Sequence, residues 1–313
     1  MSSIAVYLGE ELARYGFGND HPFGLDRQAT FIHEFQRRGL NKQVEIRAPV
    51  TASDEQILYF HTAEYLDKVK QLSITGQGYL DCGDTPAFKG MYEVAATVVG
   101  TTIAAVDAVI KDDVPRAFIP IAGLHHARRD TAAGFCVFND CGVAIEALRR
   151  EHGIRKVAYV DIDAHHGDGV FYEFESDSGL VYVDFHEDGR FLYPGTGMAE
   201  ETGKGAAKGT KLNIPMPPGA NDGLFMKYWD DAEAFVEASR PEIILLQCGA
   251  DSLEGDPITH LGYSPAAHAH VARRLRQLAG KICQGRLVAM GGGGYNRDNL
   301  ANAWCAVVSA LCG

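Results

Sequence analysis

Apolar and polar positions alternate in blocks along this chain. Short apolar or β-prone runs at 4–8, 44–48, 116–121, 157–162, 180–186, 211–216, 243–248 and 286–290 predict strands, several continuously apolar like strands buried on both faces. Between them the spacing predicts helices over 27–38, 53–60, 62–73, 90–110, 140–150, 222–238, 264–279 and 296–311. In the first, Phe31, Ile32 and Phe35 share a face and Gly39 stops the helix. Ser53 with Gln56 three residues on fits a capping box. The stretch 90–110 is rich in Ala, Val and Thr and reads as a buried helix despite its β-branched content. Residues 21–27 and 76–88 hold many turn formers and read as loops. Strands alternating with helices of this length predict a parallel sheet covered on both faces. No linker, repeat or low-complexity tract divides the chain, so 1–313 reads as one domain.

Charge and cysteine usage narrow the function classes. A formal charge of −12 argues against nucleic acid as a direct partner, because neutralising phosphates needs basic patches. It is compatible with a cationic ligand. The seven cysteines are odd in number and form no CxxC, so neither a disulfide framework nor a thiolate zinc knuckle is expected. The start, MSSIAVYLGEEL, lacks a basic segment followed by a long apolar core. The expectation is a cytoplasmic protein with no membrane partner.

The chemistry concentrates in VAYVDIDAHHGDGV, residues 157–170. A strand ends there, and Asp161, Asp163, His165, His166 and Asp168 crowd into eight residues. Burying so many ionisable groups is costly unless they hold a metal or pair with one another. The other reading is a polar loop with an internal salt bridge. Further unusual residues gather at the ends of the other predicted strands: His125 and His126, Asp184 and His186, Asp251, and Gly291–Gly294 with Tyr295. In a parallel sheet these ends share one edge and converge on one crevice. Asp163, His165 and Asp251 would offer one nitrogen and two carboxylates with an open position for water, the pattern of a catalytic zinc, although Asp251 could equally be a helix cap. The donor set also suits iron(II). His125–His126 could move protons, with Asp161 and Asp168 near enough to orient them. The four glycines permit close approach or positive φ and match no phosphate-loop fingerprint. Tyr295 could donate to a developing oxyanion.

HHARRDTAAGFCVFND, VDIDAHHGDGV, YPGTG, CGADSLEGDP and GGGGYN, in this order, resemble the zinc-dependent histone deacetylase family, a group that includes acetylpolyamine amidohydrolases and acetoin-utilisation proteins. The resemblance runs from about His21 to Ala310. It implies a single-domain arginase/deacetylase α/β fold with a central parallel sheet of about eight strands flanked by helices on both faces. It implies one zinc on Asp163, His165 and Asp251. His126 would be general base and acid with Asp168 as its partner, His125 the electrostatic partner backed by Asp161, and Tyr295 the carbonyl-polarising donor. Phe135 and Tyr193 match the aromatic walls of an acyl-lysine tunnel. The family usually has Phe at the second position, so the Tyr193 hydroxyl is a departure. The Gly134 carbonyl would accept from the substrate amide, and Asp84 matches a rim carboxylate. Asp161, Asp163, His165, Asp184 and Phe185 occupy the positions of an inner structural potassium ion. Gly167 and Leu253 stand where a second metal would need carboxylates, which favours a mononuclear site over an arginase-like pair.

These readings point to removal of an acyl group, acetyl first, from lysine in a protein or peptide. The rivals are an acetylated polyamine as substrate, and a catalytically silent module that binds acyl-lysine. An assembly of identical chains stays open.

Overall fold

Residues 4–18 and 21–313 are described by a computed structural model. The apolar runs become strands and the periodic stretches helices. In chain order these are β1 (Ala5–Tyr7), α1 (Glu10–Ala13), α2 (Arg27–Arg37), β2 (Glu45–Arg47), α3 (Asp54–Ile57), α4 (Ala63–Thr75), α5 (Met91–Ile110), β3 (Arg116–Ile119) and α6 (Asp140–His152). There follow β4 (Val157–Asp161), α7 (Asp168–Glu173), β5 (Leu180–Glu187), β6 (Lys211–Met216), α8 (Asp222–Ser239), β7 (Ile243–Gln247), α9 (Pro265–Ile282), β8 (Leu287–Met290) and α10 (Arg297–Cys312). The strands form one sheet in the order β2-β1-β3-β8-β7-β4-β5-β6, and every pairing is parallel.

That order explains where function can reside. The middle of the sheet is β3, β8, β7 and β4, brought together from distant parts of the chain. Their carboxyl ends lie on one edge, and the loops leaving them diverge to either face, opening a crevice. β4, β5, β7 and β8 are buried along their whole length, because α4, α5 and α6 pack on one face and α2, α8, α9 and α10 on the other. By length and composition α5 could cross a membrane, but most of it is buried within this fold.

The departures from the sequence reading have local causes. β3 stops at Ile119 because Pro120 has no N–H to give the ladder. The Ser53–Gln56 capping box forms, yet α3 makes little more than one turn before the chain buries Phe60 and His61. Helices α1 and α7 were not anticipated, since four and six residues are too few to display a period. All seven cysteines are free, five of them buried.

One buried histidine ties the fold to the crevice. His61 Nε2 accepts from the Asn139 N–H (2.9 Å), and its Nδ1–H donates to the Arg129 carbonyl (3.3 Å). Asn139 caps α6 through Gly142 N–H (2.8 Å), while its side-chain amide donates to the carbonyls of His125 (3.3 Å) and Ala127 (2.8 Å). Next to it, the Asp140 carboxylate accepts from the N–H groups of Gly123 and Leu124 and from the Thr102 hydroxyl. The loop after β3 is thus fastened to the start of α6 before His125 and His126 enter the site.

Burial holds the His61 imidazole down at about 3. Below its ordinary pKa near 6.5 the unfolded chain takes up a proton that the folded chain refuses. The stability this residue contributes is therefore full above that value and is lost as the pH falls, by at most about 1.4 kcal/mol per unit. Urea unfolding of His61→Gln should show a shallower loss of stability between pH 6 and pH 4 than the parent protein. Parallel curves would contradict the buried neutral imidazole.

Candidate functional site

Two loops deliver one imidazole and two carboxylates to a common point. Asp163 and His165 leave β4 two residues apart, and Asp251 sits on the single 3-10 turn Ala250–Ser252 after β7. His165 Nδ1 lies 3.1 Å from Asp163 Oδ1 and 3.1 Å from Asp251 Oδ2. Their ligand atoms fall within 4.8 Å of one another, and all three residues are buried. The remaining carboxylate oxygens are already engaged. Asp163 Oδ2 accepts from Gln247 Nε2 (2.8 Å) and Gly293 N–H (2.9 Å), and Asp251 Oδ1 accepts from Ala164 N–H (2.9 Å). This leaves one oxygen from each acid turned to the imidazole, the orientation that second partners impose on metal ligands.

The electrostatics agree with a cation site. Burial and the neighbouring Asp163 push Asp251 up to about 7. Against burial, His125 and His165 hold Asp163 well below its ordinary range, and the two acids raise His165 to about 10. Two acids compete for one imidazole. A second group of ligand type, Asp107, Glu151 and His152, lies nearer the surface, where Asp107 already pairs with His152 and Lys111.

Beside the triad stand two His–Asp pairs. His125 Nδ1–H donates to Asp161 Oδ2 (2.8 Å), and His126 Nδ1–H donates to Asp168 Oδ1 (2.7 Å). Their Nε2 atoms face each other at 3.2 Å. Burial draws both imidazoles down, but Asp161 and Asp163 lift His125 to about 9. His126 has no such surplus. Burial and the neighbouring His125 charge lower it to about 4, while it keeps Asp168 ionised below the ordinary carboxylate range. One dyad member is built to carry a proton and the other to accept one.

Tyr295 closes the site. With His125, His126, Asp163, His165 and Gly293 it lines an inner cavity of ≈ 20 Å³, room for about one water-sized ligand. Burial and the two triad acids push its phenol well above 10, so it remains a donor. Arg27, buried at the start of α2, holds the glycine run from beneath: Nε donates to the Gly294 carbonyl (3.0 Å) and Nη2 to the Gly292 carbonyl (2.6 Å). Gly293 is required by close approach, since a Cβ there would lie 2.0 Å from Asp251 Oδ2. Gly134, at φ +53, is also close-packed, with a Cβ there 2.4 Å from His126 Cδ2.

The remaining expected residues lie around this centre. Tyr193 sets its ring against His126 (5.2 Å) and His165 (6.4 Å), and Phe135 sets its ring against Tyr295 (6.0 Å). The Gly134 carbonyl accepts from the Cys136 thiol. Asp84 is exposed further out, on a groove of ≈ 570 Å³ shared with Asp81, Arg128, Asp168 and Tyr193. Asp161 and Asp184 are register partners in β4 and β5, both fully buried. The Asp184 carboxylate accepts from Gly167 N–H (2.9 Å), the Tyr182 hydroxyl and His186 Nδ1–H (2.8 Å). The Phe185 ring points away, onto Phe225 and Trp229, so only its backbone could serve a site here.

A histone deacetylase domain matches residues 21–311. The chain belongs to the histone deacetylase family. It is 36% identical over 302 residues to the acetoin utilization protein AcuC of Bacillus subtilis strain 168, covering 94% of this chain and 78% of that protein. It is 33% identical over 313 residues to a probable deacetylase of Archaeoglobus fulgidus, covering 98% and 86%. Among solved structures, the crystal structure of the HDA15 HD domain superposes with a TM-score of 0.91 at 26% identity, covering all of this chain and 90% of the other. The eight-stranded parallel sheet is thus a histone deacetylase fold, and the family relationship makes the chain a deacetylase, a hydrolase.

Several residues that shape this histone deacetylase site were not singled out from sequence: Gln247, Arg27, Asn139 and Asp140. Each acts on a partner distant in sequence or reads locally as something else. Gln247 lies near the end of an apolar strand, Arg27 begins an amphipathic helix, and Asp140 reads as the start of a helix with Asn139 just before it. A polar residue inside an otherwise apolar strand was the one available signal, at Gln247.

Replacing Gly293 with Ala forces a methyl group onto the Asp251 carboxylate. Gly293→Ala should lower unfolding stability by about 1–3 kcal/mol, as overpacking does, and reduce turnover of an acetylated substrate at least tenfold. Unchanged urea midpoint and turnover would contradict the close contact.

Proposed function

We propose that the chain is a zinc-dependent deacetylase that removes an acetyl group from the ε-amine of lysine in a protein or peptide. The observation that carries this reading is the convergence of Asp163, His165 and Asp251 beside the paired His125–His126 dyad and Tyr295. Three clustered ligand atoms, one nitrogen and two carboxylate oxygens, fit a zinc ion with room for a reacting ligand. When bound, zinc acts as a Lewis acid toward the acyl carbonyl and makes water acidic enough to attack near neutral pH.

The chain's own residues supply the rest. His126 Nε2, unprotonated near neutrality, takes a proton from the attacking water. Asp168 fixes the tautomer that leaves that nitrogen without its own proton. His125, held protonated by Asp161, places positive charge beside the developing tetrahedral centre. Tyr295 donates its O–H to the carbonyl oxygen as negative charge builds there. His126 then returns the proton to the amine nitrogen, the C–N bond breaks, and acetate and the free amine leave. Phe135 and Tyr193 flank the acyl-lysine stem, the Gly134 carbonyl accepts from the substrate amide, and Asp84 grips the substrate at the rim.

By family resemblance, Asp161, Asp163, His165, Asp184 and Phe185 would hold a monovalent cation, potassium. Two facing buried carboxylates support this, because Asp184 adds to the burial that raises Asp161. The open groove beside Asp84 and Arg128 favours a peptide over a small polyamine, since it offers acidic and basic groups along an extended ligand.

An acetyl-lysine peptide panel run beside acetylated polyamines, on chain of measured metal content, tests this reading. Peptide turnover blocked by a hydroxamate is expected, with polyamines poorer. Preference for polyamines would overturn the substrate class, and binding without turnover would overturn the enzyme reading. Tyr295→Phe should lower kcat by about 10²-fold or more. Near-normal turnover in that variant would refute the oxyanion role.

A further inference from the structure

Among the described residues, four other than glycine adopt positive φ: Asp112, Phe135, Arg240 and Gln284. Three are exposed polar residues. The fourth is the aromatic beside the site, with φ +67. A bulky side chain resists that conformation, and it persists only when its surroundings over-determine it.

Two buried hydroxyls do so. The Phe135 N–H donates to Thr85 Oγ1 (3.2 Å), and the Phe135 carbonyl accepts from the Tyr15 hydroxyl (2.8 Å). Tyr15 in turn accepts from the Val137 N–H (3.0 Å), so one phenol bridges both sides of the turn. Thr85 is 0% exposed and Tyr15 1%. Both precede it in the chain, by 50 and 120 residues, and they hold its N–H and its carbonyl respectively. Thr85 also belongs to the rim loop. Its hydroxyl points at Asp84 Oδ1 (3.4 Å), and the loop is drawn round Asp81, whose Oδ1 accepts from the N–H groups of Gly83, Asp84 and Thr85. Wall and rim are joined at one side chain.

We propose that Tyr15 and Thr85 are positioning residues that lock Phe135 in its left-handed conformation, so that its ring forms a fixed wall of the acyl-lysine passage in register with Asp84. This rests on the reading of Phe135 as a wall of that passage. With either hydroxyl removed, the backbone can relax towards negative φ and carry the ring off the passage, away from its edge contacts with His21 (4.4 Å) and Tyr295 (6.0 Å). The triad and the dyads are untouched, so the effect falls on substrate capture and spares the chemical step.

The test is steady-state kinetics on an acetyl-lysine peptide with Tyr15→Phe, Thr85→Val and Thr85→Ser, each alone and combined with Phe135→Ala. Near-isosteric Tyr15→Phe and Thr85→Val should each raise KM roughly three- to tenfold, as loss of one hydrogen bond does, with kcat within about twofold. Thr85→Ser should restore the parent KM. In the Phe135→Ala background neither change should add to the KM that variant already shows, whereas a general effect on folding would persist there. Thermal melts within a few degrees of the parent show which variants are folded, and either hydroxyl variant alone suffices. Unchanged KM in the hydroxyl variants, or an equal increment over Phe135→Ala, overturns the clamp while leaving the passage intact. A parent-like KM in Phe135→Ala overturns the passage reading and the clamp with it.

Discussion

Asp163 and Asp251 are fully buried carboxylates that share a single imidazole. Like charges that close, out of water, repel strongly and lose their hydration. The surroundings are built to answer that demand. Gln247, Gly293 and Ala164 turn N–H dipoles onto the outer oxygens. His125 adds positive charge from one side. The glycine run after β8 exists because a methyl group at Gly293 would occupy the space of Asp251. Even the sheet order serves this arrangement: only where β8, β7 and β4 lie side by side can loops 163–165, 251 and 291–295 meet.

A second ring of charge surrounds the first and gives it direction. His125 and His126 are consecutive in sequence, yet each receives its own acid, Asp161 from the strand and Asp168 from the start of α7. Because Asp163 and Asp184 add to Asp161 in raising His125, the proton settles there and His126 is left unprotonated. Two chemically identical side chains thereby take unlike roles, set by environment alone. Asn139, held by His61, fixes the backbone from which both project.

Much of this was legible in the sequence for a physical reason. Strands of a parallel sheet are buried on both faces and must be apolar, so the switch from VAYV to DIDAHHGD marked both the strand and its functional end. Asp163 and His165 could be paired from their spacing. Asp251 could not, because an acid after a strand also caps helices, and only the fold brings it to within 3.1 Å of His165 Nδ1. Arg27 and the Tyr15–Thr85 clamp were illegible for a stronger reason. Their partners lie from 50 to 267 residues away, and nothing local distinguishes a clamping tyrosine from a core one. Short helices such as α7 were missed because six residues carry no period.

In the function proposed above, Asp163, His165 and Asp251 together hold one divalent cation. Titration of the metal-stripped chain with zinc, followed by calorimetry and metal analysis, tests it most directly. One zinc per chain is expected, unchanged in stoichiometry by Tyr295→Phe, with affinity weakened at least about tenfold in a folded Asp251→Asn variant, as loss of a ligand should do at least as strongly as loss of its support. Parent-like zinc binding by Asp251→Asn would contradict it.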